Sequence, residues 1–178
     1  MKNVRRDALW VLSCVAVGMP EHIEAIIGTD LFPKVVRAVR ENESYDIKLN
    51  AIFVLVNAIQ HGTDQQIRYI VGQDAIPHLC DVLTSPDADD VLDTMCAIER
   101  ILQVGMFDGA CNSSKNIYAT MMETCAGIEK LEALLAHENE KIFKAAQSIL
   151  DKFFELDTDE QDDDGDEKEE ATSTMRDA

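Results

Sequence analysis

Apolar residues along most of this chain fall at helical spacing, and the pattern returns. Ile23, Ile26, Ile27, Val35 and Val39 are followed 44 positions later by Ile67, Ile70, Val71, Leu79 and Leu83. Gly28, Asp30, Phe32 and Pro33 are matched in the same way by Gly72, Asp74, Ile76 and Pro77. Residues three and four apart share one face of a helix, so each stretch predicts amphipathic helices. Upstream of each stretch lies a more apolar segment, in which Trp10 pairs with Phe53 at an offset of 43. Every unit therefore reads as a short helix, a longer one and a long one. Gly18 and Gly62 act as helix stops, and Pro33 and Pro77 suit a first helical turn, where the missing N–H costs nothing. A third, more divergent copy places Ile128, Leu131 and Leu135 after Ile76, Leu79 and Leu83 at an offset of 52. The extra length falls in Met106 to Asn116, whose Gly, Asn and Ser content predicts a surface loop. One helix of a first unit, two nearly regular units and a last unit ending near Phe154 are expected.

A period in the low forties with helical spacing inside it is the signature of armadillo or HEAT repeats. The predicted fold is all-α, an armadillo-repeat right-handed superhelical solenoid over residues 1–154. Residues 155–178 have little to bury and are expected to form a disordered acidic tail. The chain opens in the middle of a unit, without the two helices that would cover the apolar positions from Val4 to Val17. Solenoids need polar end caps for solubility, so a fragment or a truncated paralogue is expected.

Charge narrows the choice of partner. The formal net charge is −18, of which residues 155–178 carry 12 acids against Lys168 and Arg176. That leaves 22 acids and 14 bases in residues 1–154, a body at −8 with no basic stripe. Nucleic acid is excluded as a partner, because its phosphates require clustered Lys and Arg. Basic peptides or proteins suit an acidic body. The five cysteines, Cys14, Cys80, Cys96, Cys111 and Cys125, contain no C-x-x-C pair and predict neither disulfide framework nor zinc site. They read as reduced and mostly buried thiols. Lys2, Arg5 and Arg6 before the run Ala8 to Met19 imitate a signal peptide, but Asp7 interrupts the flank and a similar run, Ala51 to Ile59, recurs in mid-chain. No run reaches membrane-spanning length, so no membrane insertion is expected. Glu160, Asp162, Asp164 and Gly165 resemble an EF-hand start, but Ala171 stands where a bidentate Glu is needed, and no metal or cofactor is expected. The scattered histidines read as ordinary surface or turn residues, and no nucleophile–base constellation points to an enzyme.

The long third helix of each unit should line the concave face, where solenoids bind extended partners. Trp10 with Cys14 and Phe53 with Asn57 stand at i and i+4, each pair on one face. These segments, Arg6 to Cys14 and Leu49 to Asn57, resemble importin-α, whose successive third helices carry Trp-x-x-x-Asn. His61 to Val71 is similar to the segment after that family's eighth repeat, and Tyr118 to Phe154 resembles its last repeat. The likeness covers nearly all of residues 4–154 and implies recognition of basic nuclear localisation peptides. Indole walls would hold Lys or Arg stems, and Asn amides would clamp the peptide backbone. On that pattern Asp7, Trp10, Phe53 and Asn57 form part of the minor peptide site. Cys14 replaces one clamping Asn, Phe53 a Trp and Asn50 an acid. Arg100 falls where Asn is usual, with Cys96 a turn before it, and should repel a basic peptide. From the residues alone, Trp10 is either core or ligand wall and Phe53 reads as core. Asn57 reads as functional, because an amide on an apolar face needs partners that a peptide would supply. The resemblance further implies contacts of the last repeats with the nuclear export receptor and a nucleoporin, and residence in cytoplasm and nucleus. The competing reading is an armadillo scaffold that has lost cargo binding.

Overall fold

The computed structural model describes residues 2–40, 44–112 and 115–154, and among these there are ten helices and no strand. The lone helix α1 (Lys2–Ala16) is followed by a unit of α2 (Pro20–Gly28), α3 (Phe32–Arg40) and α4 (Tyr45–His61). The second unit is α5 (Asp64–Val71), α6 (Ile76–Val82) and α7 (Ala88–Asn112), and the third is α8 (Ile117–Thr124), α9 (Gly127–Leu134) and α10 (Glu140–Phe153). The third helices pack in series, α1 on α4, α4 on α7 and α7 on α10. This is an all-α armadillo solenoid. The tail expected over residues 155–178 lies outside the described residues.

Local sequence explains most boundaries. Pro20 opens α2, and Pro33 and Pro77 sit one residue inside α3 and α6. Thr63 begins α5 with a capping box: its hydroxyl accepts from the Gln66 N–H, and the Gln66 side chain accepts from the Thr63 N–H. Gln66 also donates to the Pro20 carbonyl (2.9 Å) and to Glu24 (3.0 Å), so one buried amide both starts a helix and ties two units together. α4 ends at Gly62, whose N–H bonds to the Ala58 carbonyl; a Cβ at Gly62 would stand 2.5 Å from that oxygen. The turn between first and second helices repeats as well. Asp30, Asp74 and Ala126 all adopt left-handed backbone at φ 54°, 69° and 55°. Aspartate tolerates that conformation better than alanine does.

The core runs the length of the stack, through Ile23, Phe32, Ile47, Leu55, Ile67, Leu79, Ile98, Leu131 and Ile142, all nearly or fully buried. Each such aliphatic or aromatic side chain contributes about 1.5–3 kcal/mol on burial.

Four expectations are corrected. The middle helices are not longer than the first: α6 has 7 residues against 8 in α5. Most of the stretch read as a loop, Met106 to Asn112, is helix, continuing α7 to 25 residues. Long-range contacts override the low helix propensity of its glycines. Arg68 forks onto both Asp108 oxygens (2.8 and 2.5 Å), and Asn116 donates to the Leu102 carbonyl while capping α8. Gly105 lets that capping loop approach, since a Cβ there would stand 2.1 Å from Asn116 Oδ1. The described thiols are not mostly buried, for Cys14 and Cys96 are exposed, Cys125 is half-buried and Cys80 is enclosed, while the Cys111 side chain lies outside what is described. His78 is not an ordinary surface residue: its Nε2 is sealed without a hydrogen-bond partner, and burial pushes its pKa down.

Candidate peptide-binding face

Tyr45, Lys48 and Leu49 leave the start of α4 open, but beyond them it is buried on most sides and keeps a narrow accessible stripe. Asp46, Asn50, Phe53, Asn57 and Gln60 lie along it at intervals of three or four, one face of a helix whose other faces carry the core. On α7 the same reading gives Asp89, Asp93, Cys96, Arg100 and Gln103. On α1, Trp10 and Cys14 are exposed while Leu9, Ser13 and Ala16 turn inward. Three adjacent helices thus offer a ladder of accessible side chains.

Trp10 is 59% exposed, which removes it from the core. Phe53, read as core, is half-exposed on the stripe instead. Asn57 does not lack a partner, as its amide donates to the Ser13 carbonyl at 3.1 Å. The need for a peptide to satisfy it therefore falls away, although its Oδ1 has no partner among the described residues. That bond also places Asn57 beside the turn of α1 that carries Trp10, since the Ser13 hydroxyl donates to the Trp10 carbonyl at 2.8 Å. Asp7 is exposed and paired with the adjacent Arg6 at 2.8 Å.

The next step of the ladder is different in kind. Gln60 donates to the Asp93 carbonyl (2.8 Å), and Arg100 reaches Asp64 (2.7 Å) in the first turn of α5. Gln103 donates to Glu99, which also receives Lys152 at 3.1 Å. The cation expected to repel a basic peptide is thus held by a carboxylate. Gln60, Cys96, Glu99, Arg100 and Gln103 line a shallow depression of about 260 Å³. Sequence reasoning missed Asp64 and Gln60, whose roles depend on contacts 33–36 residues away. Among the described residues no cluster of three or more His, Cys, Asp or Glu could hold a metal ion, and no helix is long and apolar enough to cross a membrane.

Comparison with known proteins agrees with this architecture. The family described as an atypical Arm repeat matches residues 116–170. Importin subunit alpha-5 of Arabidopsis thaliana is 35% identical over 153 residues, 86% of this chain and 29% of the relative. Importin subunit alpha-1b of Oryza sativa subsp. japonica is 32% identical over 154 residues, again 86% of this chain and 29% of the relative. The chain spans under a third of the length of these importin subunits, which are transport proteins by name rather than enzymes. Among solved structures, a computationally designed armadillo repeat protein for modular peptide recognition superposes with a TM-score of 0.68 at 23% identity, covering 84% of this chain and 58% of that one. A designed armadillo repeat protein in complex with the peptide (KR)4 gives 0.65 at 23% identity, with 83% and 57% covered. The chain is an armadillo-repeat segment homologous to importin-α.

Proposed function

We propose that this segment serves nuclear import as part of an adaptor and holds a basic localisation peptide weakly across α1 and α4. The observation that carries this reading is Trp10, a mostly exposed indole one helical turn from the Ser13–Asn57 bond. Exposed indole faces attract Lys and Arg by about 0.5–2 kcal/mol through cation–π contact. Phe53 supplies a second apolar wall, the free Asn57 oxygen accepts a peptide N–H, and Asp7 adds charge at the rim. With one clamp replaced by Cys14, the dissociation constant is expected to be about micromolar or weaker. The relatives' names support traffic between cytoplasm and nucleus, and contacts of the last repeats with an export receptor and a nucleoporin belong to the same reading.

Calorimetry with a basic localisation peptide tests it. Trp10→Ala should abolish detectable binding while leaving stability within about 0.5 kcal/mol, as for an exposed residue. Unchanged affinity would transfer the weight to the second reading, a scaffold without cargo binding. That reading draws on Cys14 and on the Arg100–Asp64 pair, which occupies the neighbouring step.

A further inference from the structure

Two thiols from different units meet where the second and third units join. Cys80, on α6, is fully buried, while Cys125 closes α8 half-buried and is followed by the exposed Ala126. Their side chains hydrogen-bond to each other, and the Cys125 thiol also donates to the Met122 carbonyl at 3.5 Å. Gly127 makes the approach possible. A Cβ there would stand 2.8 Å from the Cys80 sulfur and 3.1 Å from the Met122 oxygen, so the turn after Cys125 lies on Cys80 only because it lacks one. Cys14 and Cys96, by contrast, are exposed on the inner stripe.

The turn that carries Cys125 is held by long bonds. The Cys125 N–H reaches the Met122 carbonyl and the Lys130 N–H the Ala126 carbonyl at 3.3 Å each, beyond the usual range. Between them Ala126 is left-handed at φ 55°. Such a turn can shift to bring the sulfurs to bonding distance, about 2.05 Å, while α6 stays in place.

The pair also suits oxidation chemically. Burial pushes the Cys80 thiol above its ordinary pKa and the neighbouring Cys125 adds to the push, while Lys130 pulls the other way more weakly. The reduced pair therefore lacks the thiolate stabilisation that makes a low-pKa dithiol resist oxidation. A disulfide, uncharged and apolar, fits the same enclosed site.

We propose that Cys80 and Cys125 form a reversible disulfide that fastens α6 to the turn between α8 and α9, a redox latch between the second and third units. With oxidised glutathione as oxidant, the more accessible Cys125 loses its proton and attacks one sulfur, displacing a glutathione thiolate. Cys80 then attacks the Cys125 sulfur and releases the second glutathione. Two protein thiols are oxidised, one glutathione disulfide is reduced, and the two protons end on the glutathione thiols. The bond closes the loop from residue 80 to residue 125 and so restricts the unfolded chain.

Equilibration of the full chain in glutathione redox buffers, followed by acid quenching, alkylation and peptide mass spectrometry, tests the latch. The oxidised chain should yield a linkage between Cys80 and Cys125 that persists in Cys96→Ser, disappears in Cys125→Ser and is undone by excess reduced glutathione. Cys80→Ala should instead retain glutathione on Cys125, because nothing displaces it. On the unaltered protein, whose folding is not in question, oxidation should raise the unfolding midpoint by about 5 °C or more. A glutathione adduct that stays on Cys125 of the unaltered chain, a bond joining either residue to a different cysteine, or a midpoint that oxidation leaves unchanged would each overturn the proposal.

Discussion

The two steps of the inner ladder are built from similar helices and use their polar side chains in opposite ways. Between α1 and α4, one amide bond joins the helices, an indole stands in solvent and Asn57 keeps its oxygen free. Between α4 and α7, Gln60, Arg100, Gln103 and Glu99 bond to one another or to neighbouring elements. The first step has unspent bonding capacity, whereas the second spends it on holding the units together. A solenoid can thus leave polar groups open on one rung and use them for cohesion on the next without altering its backbone.

The strongest way to break the cohesive side is at Gly105. Gly105→Ala puts a Cβ into Asn116, which both caps α8 and bonds to Leu102, so the cap and the link are lost together. Destabilisation of about 1–3 kcal/mol is expected, the range for overpacking a close contact. Chemical denaturation measures it. A change below a few tenths would mean that the loop simply moves aside.

On the open step, Cys14→Asn with Phe53→Trp should tighten binding of a basic peptide by roughly one to two orders of magnitude, as each restored clamp is worth about 0.5–1.5 kcal/mol. Calorimetry of the double variant decides this. Equal affinity would show that the first step is open without being a binding site.

The repeat itself, its helical class and its Gly and Pro punctuation were legible because each rests on local spacing. The i, i+4 spacing put Trp10 with Cys14 and Phe53 with Asn57 on one face of each helix, but it could not tell core from surface, and Phe53 read as core. The helical continuation of α7 was not legible, because Gly109 and Asn112 read locally as loop. It is the Arg68–Asp108 fork and the Asn116 bond, each spanning 14–40 residues, that hold it. The same limit hid the partner of Asn57, which lies 44 residues away.

A smaller effect sharpens the contrast between regular and divergent units. Asp30 and Asp74 have short polar side chains that suit the left-handed turn, while Ala126 adopts it with nothing to offset the steric cost. Ala126→Gly should stabilise the third unit by about 0.5–1 kcal/mol, since glycine removes that strain although it loosens the unfolded chain. An unchanged melting temperature would place the turn's strain elsewhere.

The smallest expected effect is on pH dependence, and it belongs to the cohesive step. The Arg68 guanidinium, bonding both oxygens, holds Asp108 below the usual carboxylate range, against a weaker opposing push from burial. A group whose folded pKa is depressed contributes stability that is present above its unfolded value, near 3.9, and lost as pH falls through the folded one. The contribution is therefore constant at neutral pH and disappears only in acid, and solvent around the pair keeps it small. Carboxyl NMR titration should find Asp108 below its unfolded value, and Arg68→Gln should return it upward. Because the fork ties α5 to the far end of α7, the same substitution should speed amide exchange in the last turn of α7 and leave α1 and α4 untouched. Equal exchange in both regions would mean that the two steps are not independently held.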